Sequence, residues 1–347
     1  MGYLRIQPAV MDEVMCLGPK FYSPSYDLLS VSPLTRYRTG SSMPEDRLKQ
    51  LRSGSSKDIG PFPVLTDSPS EIDIDKFNNG RKYFQNNVAI CVVAMLCSLV
   101  SGFSVVNLLE PLVFTNKSNT PKKSLKRYLD TVRHVALWHY GDILDPLSLA
   151  RKSIRKVHSM HKSVRNHMVE ANTDGRHFTQ YDMSLVQAGF VGFIILYPEE
   201  LGLQGSKSDL EDFVYFWRWV GFFSGIDEDN NICIHGLDDA YRICKQVENE
   251  IVYPALFNPP KHFHSMAKAF TDGLCLLSFC RVYTPESVIG FSLDMANKKR
   301  RHDLSFFDTC RVLYLKLSVF LLKHCSWFRR LANRLVESLV LPKHFDF

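Results

Sequence analysis

KVHSMHKSVR, Lys156 to Arg165, sets two histidines three residues apart in a stretch crowded with cations. On a helix turning about 100° per residue, Ile154, Val157, His158, His161, Val164, Arg165 and Met168 share one face. Lys152, Lys156, Lys162 and Ser163 fall mostly off it. Both histidines therefore belong to the core-facing stripe. The HxxH spacing differs from the i,i+4 pair of a zinc-protease helix, and no glutamate lies between, which removes that reading. Two hydrogen-bonded core histidines remain open. So does a single axial histidine for haem, which asks for one imidazole, an apolar wall and cations for the propionates.

Upstream, KSLKRYLDTVRHVALWHY reads as a second helix on which Arg127, Thr131, His134 and Trp138 share a face. A core-facing arginine is costly unless it is paired or binds an anion, and Glu110 or Asp182 could pair with it. The turn GDILDPLS, with Pro146, should reverse the chain and bring Arg127 and Thr131 beside His158 and His161. Downstream, Thr179 or Asp182 can cap a third, mostly apolar helix in which Gly189 and Gly192 would allow another surface to approach. A fourth, aromatic helix, DFVYFWRWVGFF, ends near Gly225. The acidic turn after it lacks the residue order of a calcium loop.

With 45% of its 347 residues hydrophobic, the chain can bury a large core. Lys and Arg exceed Asp and Glu by 42 to 36, too mild an excess to call for nucleic acid. The nine cysteines include no CxxC pair, which suits a reducing compartment. The N-terminus lacks a signal-peptide pattern, so an intracellular protein is expected, cytoplasmic or associated with the endoplasmic reticulum membrane. Residues 1–70 are rich in Ser, Pro and Gly and read as a partly disordered segment. Residues 71–335 read as one helical domain, and 336–347 as a tail. The uncharged run Val88 to Leu109 is long enough to span a bilayer, yet a helix buried all round would look the same. Leu304 to Leu322 carries Asp308, Arg311 and Lys316 and reads as an amphipathic, peripheral helix.

Taken in order, FNNGRKYF, an apolar helix, LEPLVFT, KRYLDTVRH, VHSMHKSVR, TQYDMSLVQAGFVGF and FWRWVGFFSGIDEDNNIC resemble the MpaB/rubber oxygenase catalytic-domain family, animal members included. The likeness runs from about Ile72 to Tyr283. It implies an all-α fold, a single large globin-reminiscent helical domain holding haem b. The family's iron ligand is the histidine followed by x-x-Val-Arg, which is His161 here; His158 matches the preceding histidine. Arg127 and Thr131 match the family's pocket pair, and Glu110 lies nearest the glutamate proposed as base. Arg165 and Lys162 would face propionates. The latex enzymes carry lysine immediately before the threonine; this chain has Asp130. The resemblance implies a haem-dependent oxygenase that uses O2 on a C=C bond of an isoprenoid-like, hydrophobic or lipid-like substrate, with peripheral or integral membrane association. A non-catalytic haem-binding or helical membrane-associated protein is the alternative.

Overall fold

The computed structural model describes residues 47–65, 71–171, 178–277 and 281–341, and all regular structure among them is helical. The irregular reading of residues 1–46 and 66–70, and that of the end of the tail, 342–347, lie outside the described residues.

The first described element, α1 (Arg47–Arg52), leads into a 3-10 turn, Ser53–Ser56. Both stand on the near side of the boundary expected at residue 70, yet they are packed into the helical unit. Leu48 and Leu51 are core residues, Ile59 is buried in a smaller cluster, and Arg47 reaches the buried Asp239 carboxylate at 3.2 Å.

Next come α2 (Ile74–Asn86) and α3 (Val88–Gly102), which meet at 84°. Asn87 fixes the corner: its amide donates to the carbonyls of Tyr83 and Gln204 (2.9 and 2.8 Å) and its carbonyl accepts from Gln204 N (2.7 Å). The apolar run expected from Val88 to Leu109 is not one helix. It breaks over 103–105, where Phe103 turns into the core and Ser104 Oγ caps Ser101 O at 2.7 Å, and restarts as α4 (Val106–Thr115). No single described helix is long and apolar enough to cross a membrane; only the bent α2–α3 pair reaches that length together.

A threonine cap at Thr120 followed by Pro121 starts α5 (Pro121–Tyr140), and Ser148 caps α6 (Leu149–Glu170). The loop between them is held by Asp142 and Asp145, whose carboxylates accept from Leu144 N and Leu147 N. The two helices run antiparallel as expected. Ser153 Oγ on α6 accepts from Trp138 Nε1 at 3.0 Å and bonds His134 Nδ1 at 2.7 Å, both on α5.

Thr179 and Asp182 form a capping box for α7 (Gln180–Leu196), which leads through α8 (Pro198–Leu201) to α9 (Lys207–Phe223). The aromatic side chains of α9 fill the centre of the core. Gly80 lets α2 lie against α9, since a β-carbon there would stand 2.1 Å from Asp212 O. His139 is stacked 3.8 Å from Phe84 and stands against Phe216 and Trp217, with no exposure. Of the two glycines read as contact points in α7, Gly192 meets Cys244 of α10 (Leu237–Val247), whereas Gly189 has open space where its β-carbon would be. The remaining helices are α11 (Tyr253–Phe257), α12 (Phe263–Cys275), α13 (Pro285–Met295), α14 (Phe306–His324) and α15 (Ser326–Val340). The start of the expected tail is thus helix, with Val340 buried.

Candidate functional site

The stripe read on α6 is the face that the fold buries: Ile154, Val157, His158, Arg165 and Met168 are buried, His161 and Val164 half-buried, and the lysines between them exposed. What covers the stripe was not legible as a wall. Residues 57–62 lie across it, tied down at both edges. Gln180 at the start of α7 donates to Asp58 O (3.0 Å) and Gly225 O (2.8 Å), and Gly60 N donates to Gly225 O (3.0 Å). Asp58 pairs with Arg165, and Phe62 packs edge-on to His158 at 5.5 Å between centroids. The stretch Asp58-Ile59-Gly60-Pro61-Phe62-Pro63 did hold a clue, two large apolar residues between prolines in an otherwise polar segment.

The two histidines are in different chemical states of use. His158 Nε2 lies 2.9 Å from Gly60 O. A carbonyl only accepts, so Nε2 carries the proton and is committed to that bond. Burial, more than the neighbouring Lys162 charge, pushes its pKa down. His161 Nδ1 is buried and has no hydrogen-bond partner among the described residues, and its ring is met by the edge of Phe178 at 5.1 Å. Burial first, then the Arg127 charge, then His158, push the His161 pKa down to about 4. At neutral pH it is a neutral imidazole. A buried nitrogen left unbonded costs about 1–3 kcal/mol, which a ligand or water bound there would recover.

Arg127, from α5, is the cation next to it. Its Nη1 donates to Thr115 Oγ1 at 3.0 Å, and among the described residues no carboxylate forms an ion pair with it. Burial depresses its pKa. The expected partner Asp182 is occupied elsewhere: its carboxylate accepts from Thr179 and from Asn107 Nδ2 (2.7 Å). Tyr128 beside it has its phenol pushed up to about 12 by burial and stays protonated. The site thus sets one cation, without a carboxylate partner among the described residues, beside a neutral imidazole.

Other expected residues are placed differently. Thr131 Oγ1 donates to Arg127 O at 3.1 Å within its own helix, so in this rotamer it offers only its lone pairs. Arg165 has its charge matched by Asp58. Asp130, where the latex enzymes have lysine, pairs with Lys126 and Arg133 on its own helix, at 3.1 and 3.0 Å. Glu110 is half-buried on α4, three residues beyond the Asn107 that ties that helix to Asp182. Lys162 is exposed and lines a shallow cleft of about 390 Å³ whose described walls all belong to α6. Sequence reasoning missed Gly60, Phe62, Phe178, Gln180 and Gly225, the residues that enclose the histidines.

Among the described residues no group of three or more His, Cys, Asp or Glu could hold a metal ion. One unbonded, neutral imidazole with the half-buried Arg127 near it could supply a single ligand to a metal that arrives with its other ligands in place. Haem b fits that donor set, with Arg127 available to a propionate.

Two comparisons with known proteins bear on the family and the fold. Residues 88–232 match the family described as ER-bound oxygenase mpaB/B'/Rubber oxygenase, catalytic domain. The fold resembles a solved structure of latex clearing protein in the closed state with a TM-score of 0.50 and 13% identity, over 86% of this chain and 80% of that one. No individually curated protein matches significantly.

Proposed function

We propose, from the match of residues 88–232 to the MpaB/rubber oxygenase catalytic-domain family, that the protein is a haem-b-dependent oxygenase acting with O2 on a C=C bond of a hydrophobic, isoprenoid-like substrate. The observation that carries this reading is His161, a half-buried imidazole kept neutral, whose buried Nδ1 is unbonded, beside Arg127, which has no carboxylate partner among the described residues.

When bound, haem b supplies the redox chemistry with dioxygen that side chains lack. The chain's own residues then divide the work. His161 would hold the iron, and its low pKa keeps the lone pair available across the physiological range. His158, committed to Gly60, fixes the 57–62 wall over the ligand face. Arg127, held by Thr115, would bind a propionate or offset negative charge developing on the substrate. Glu110 would remove a proton next to the reacting carbon, the role the family resemblance implies for it. Thr131, its hydroxyl proton spent in the helix, would accept rather than donate. Ile59, Phe62 and Phe178 exclude water from the imidazole side.

The test is turnover. Haem-loaded, reduced protein incubated with polyisoprenoid or farnesylated compounds under oxygen should yield aldehydes or ketones, and Glu110→Gln should slow the reaction at unchanged haem content. Intact substrate with haem fully loaded would instead identify a non-catalytic haem-binding protein.

A further inference from the structure

The last two helices turn an apolar stripe outward. On α14, Val312, Leu315, Val319 and Leu322 face the core, whereas Phe306, Leu313, Leu317 and Phe320 form an exposed row on the opposite side. After one intervening residue, Cys325, α15 does the same: Phe328, Ala332 and Val336 pack inward, and Trp327, Leu331, Leu335 and Leu339 are exposed. Phe306 is 77% and Trp327 62% exposed. Single exposed apolar side chains are ordinary, but two consecutive exposed rows form a contiguous patch of the kind that marks an interaction surface.

The charge on these helices is sorted with equal bias. Each carries one acid, and both are turned inward. Asp308 accepts from Thr284 Oγ1 at 2.7 Å, and Glu337 from the Tyr140 hydroxyl at 2.6 Å. The exposed Arg330 and Arg334 flank the α15 stripe and form no ion pair among the described residues. The outward face therefore combines bare aliphatic and aromatic surface with two cations, Arg330 and Arg334, that have no ion-pair partner among the described residues, the chemistry of an interfacial helix on anionic lipid.

We propose that α14 and α15 dock on an anionic membrane surface, with Phe306, Leu317, Phe320 and Trp327 in the interface and Arg330 and Arg334 at the headgroups. Asp308, Arg311, Lys316 and Lys323 on α14 keep it lying on the surface rather than crossing. The surface is distinct from the histidine site, and docking requires no haem. It would place the protein where hydrophobic substrates are dissolved.

The experiment uses the full chain and two kinds of vesicle, phosphatidylcholine alone and phosphatidylcholine mixed with phosphatidylserine. Three of the chain's four tryptophans, Trp138, Trp217 and Trp219, are buried, so quenching by brominated lipid reports Trp327. Expected are co-flotation with the mixed vesicles and quenching of Trp327. Arg330→Gln with Arg334→Gln should weaken binding to the mixed vesicles about fivefold per arginine, at about 1 kcal/mol each, and leave binding to phosphatidylcholine unchanged. Leu317→Ser with Phe320→Ser should weaken binding more than about tenfold on both. These positions are exposed, and an unchanged far-UV circular dichroism spectrum checks folding. The proposal is overturned by full chain that stays unbound, by binding that both variants leave intact, or by a lipid-free dimer that Leu317→Ser with Phe320→Ser dissolves, which would make the face a contact between copies.

Discussion

Gly225→Ala puts the wall over the histidines under direct strain. Gly225 has φ of 77°, a left-handed conformation that costs a residue with a β-carbon about 1–2 kcal/mol. The new carbon would also stand 2.9 Å from His158 Nε2 and 3.0 Å from Gly60 O, the two atoms that hydrogen-bond each other. One of them has to move, and with it go the His158–Gly60 bond and the Gly60–Gly225 backbone bond, each worth about 1 kcal/mol. The sum is about 3–4 kcal/mol, or about 6–8 °C in Tm for a unit of this size. Thermal unfolding followed by circular dichroism measures it, and limited proteolysis should show faster cutting within 57–62. Gly189→Ala is the matched control: it lies inside α7 with nothing within 4 Å of its β-carbon, so it should be neutral or slightly stabilising. If the two variants unfold within 1 °C of each other, roughly the resolution of the measurement, the clamp described here is wrong.

Other perturbations follow from the same geometry. Leu51→Ala, in a segment that composition alone reads as irregular, removes a fully buried side chain and should cost about 2–5 kcal/mol in denaturant unfolding; Leu147→Ala, 80% exposed, should cost almost nothing. His139 has its pKa pushed down to about 3, mainly by burial, so between pH 6.5 and 3 the unfolded chain binds a proton that the folded chain does not. Stability should therefore fall as pH falls through that window, by about 5 kcal/mol in all, and His139→Phe should show a shallower decline; equal slopes would refute it. Arg127→Met removes the charge that helps hold His161 near a pKa of about 4, so the His161 ring resonance should titrate at higher pH in the variant, and an unmoved midpoint would show that the two groups do not interact.

The helices and the orientation of the α6 stripe were readable because amphipathic periodicity and caps are local properties. Thr179 starts a helix where the pattern places it, while the caps at Thr120 and Ser148 became visible only in the structure. The pairing of α5 with α6 followed from one short turn. Three things escaped for a common reason, which is that long-range partners leave no local pattern. Residues 57–62 look like linker until Gln180 and Gly225, far along the chain, supply their hydrogen bonds. The break after Gly102 depends on Phe103 finding a place against Tyr128 and Phe270. Arg127 resolved its burial through Thr115, a hydroxyl rather than a carboxylate, and composition cannot distinguish the two. The separation of His158 from His161 was suggested by motif resemblance alone, and the Gly60 carbonyl gives it a physical basis.

The most direct test of the account is the absorption spectrum of the purified full-length protein reconstituted with haem b, beside those of His161→Ala and His158→Ala. The account predicts a Soret band in the wild type, its loss in His161→Ala, and its retention in His158→Ala with lower thermal stability. A wild type that stays colourless, or a band that survives in His161→Ala, would contradict the assignment of His161 and the oxygenase reading built on it.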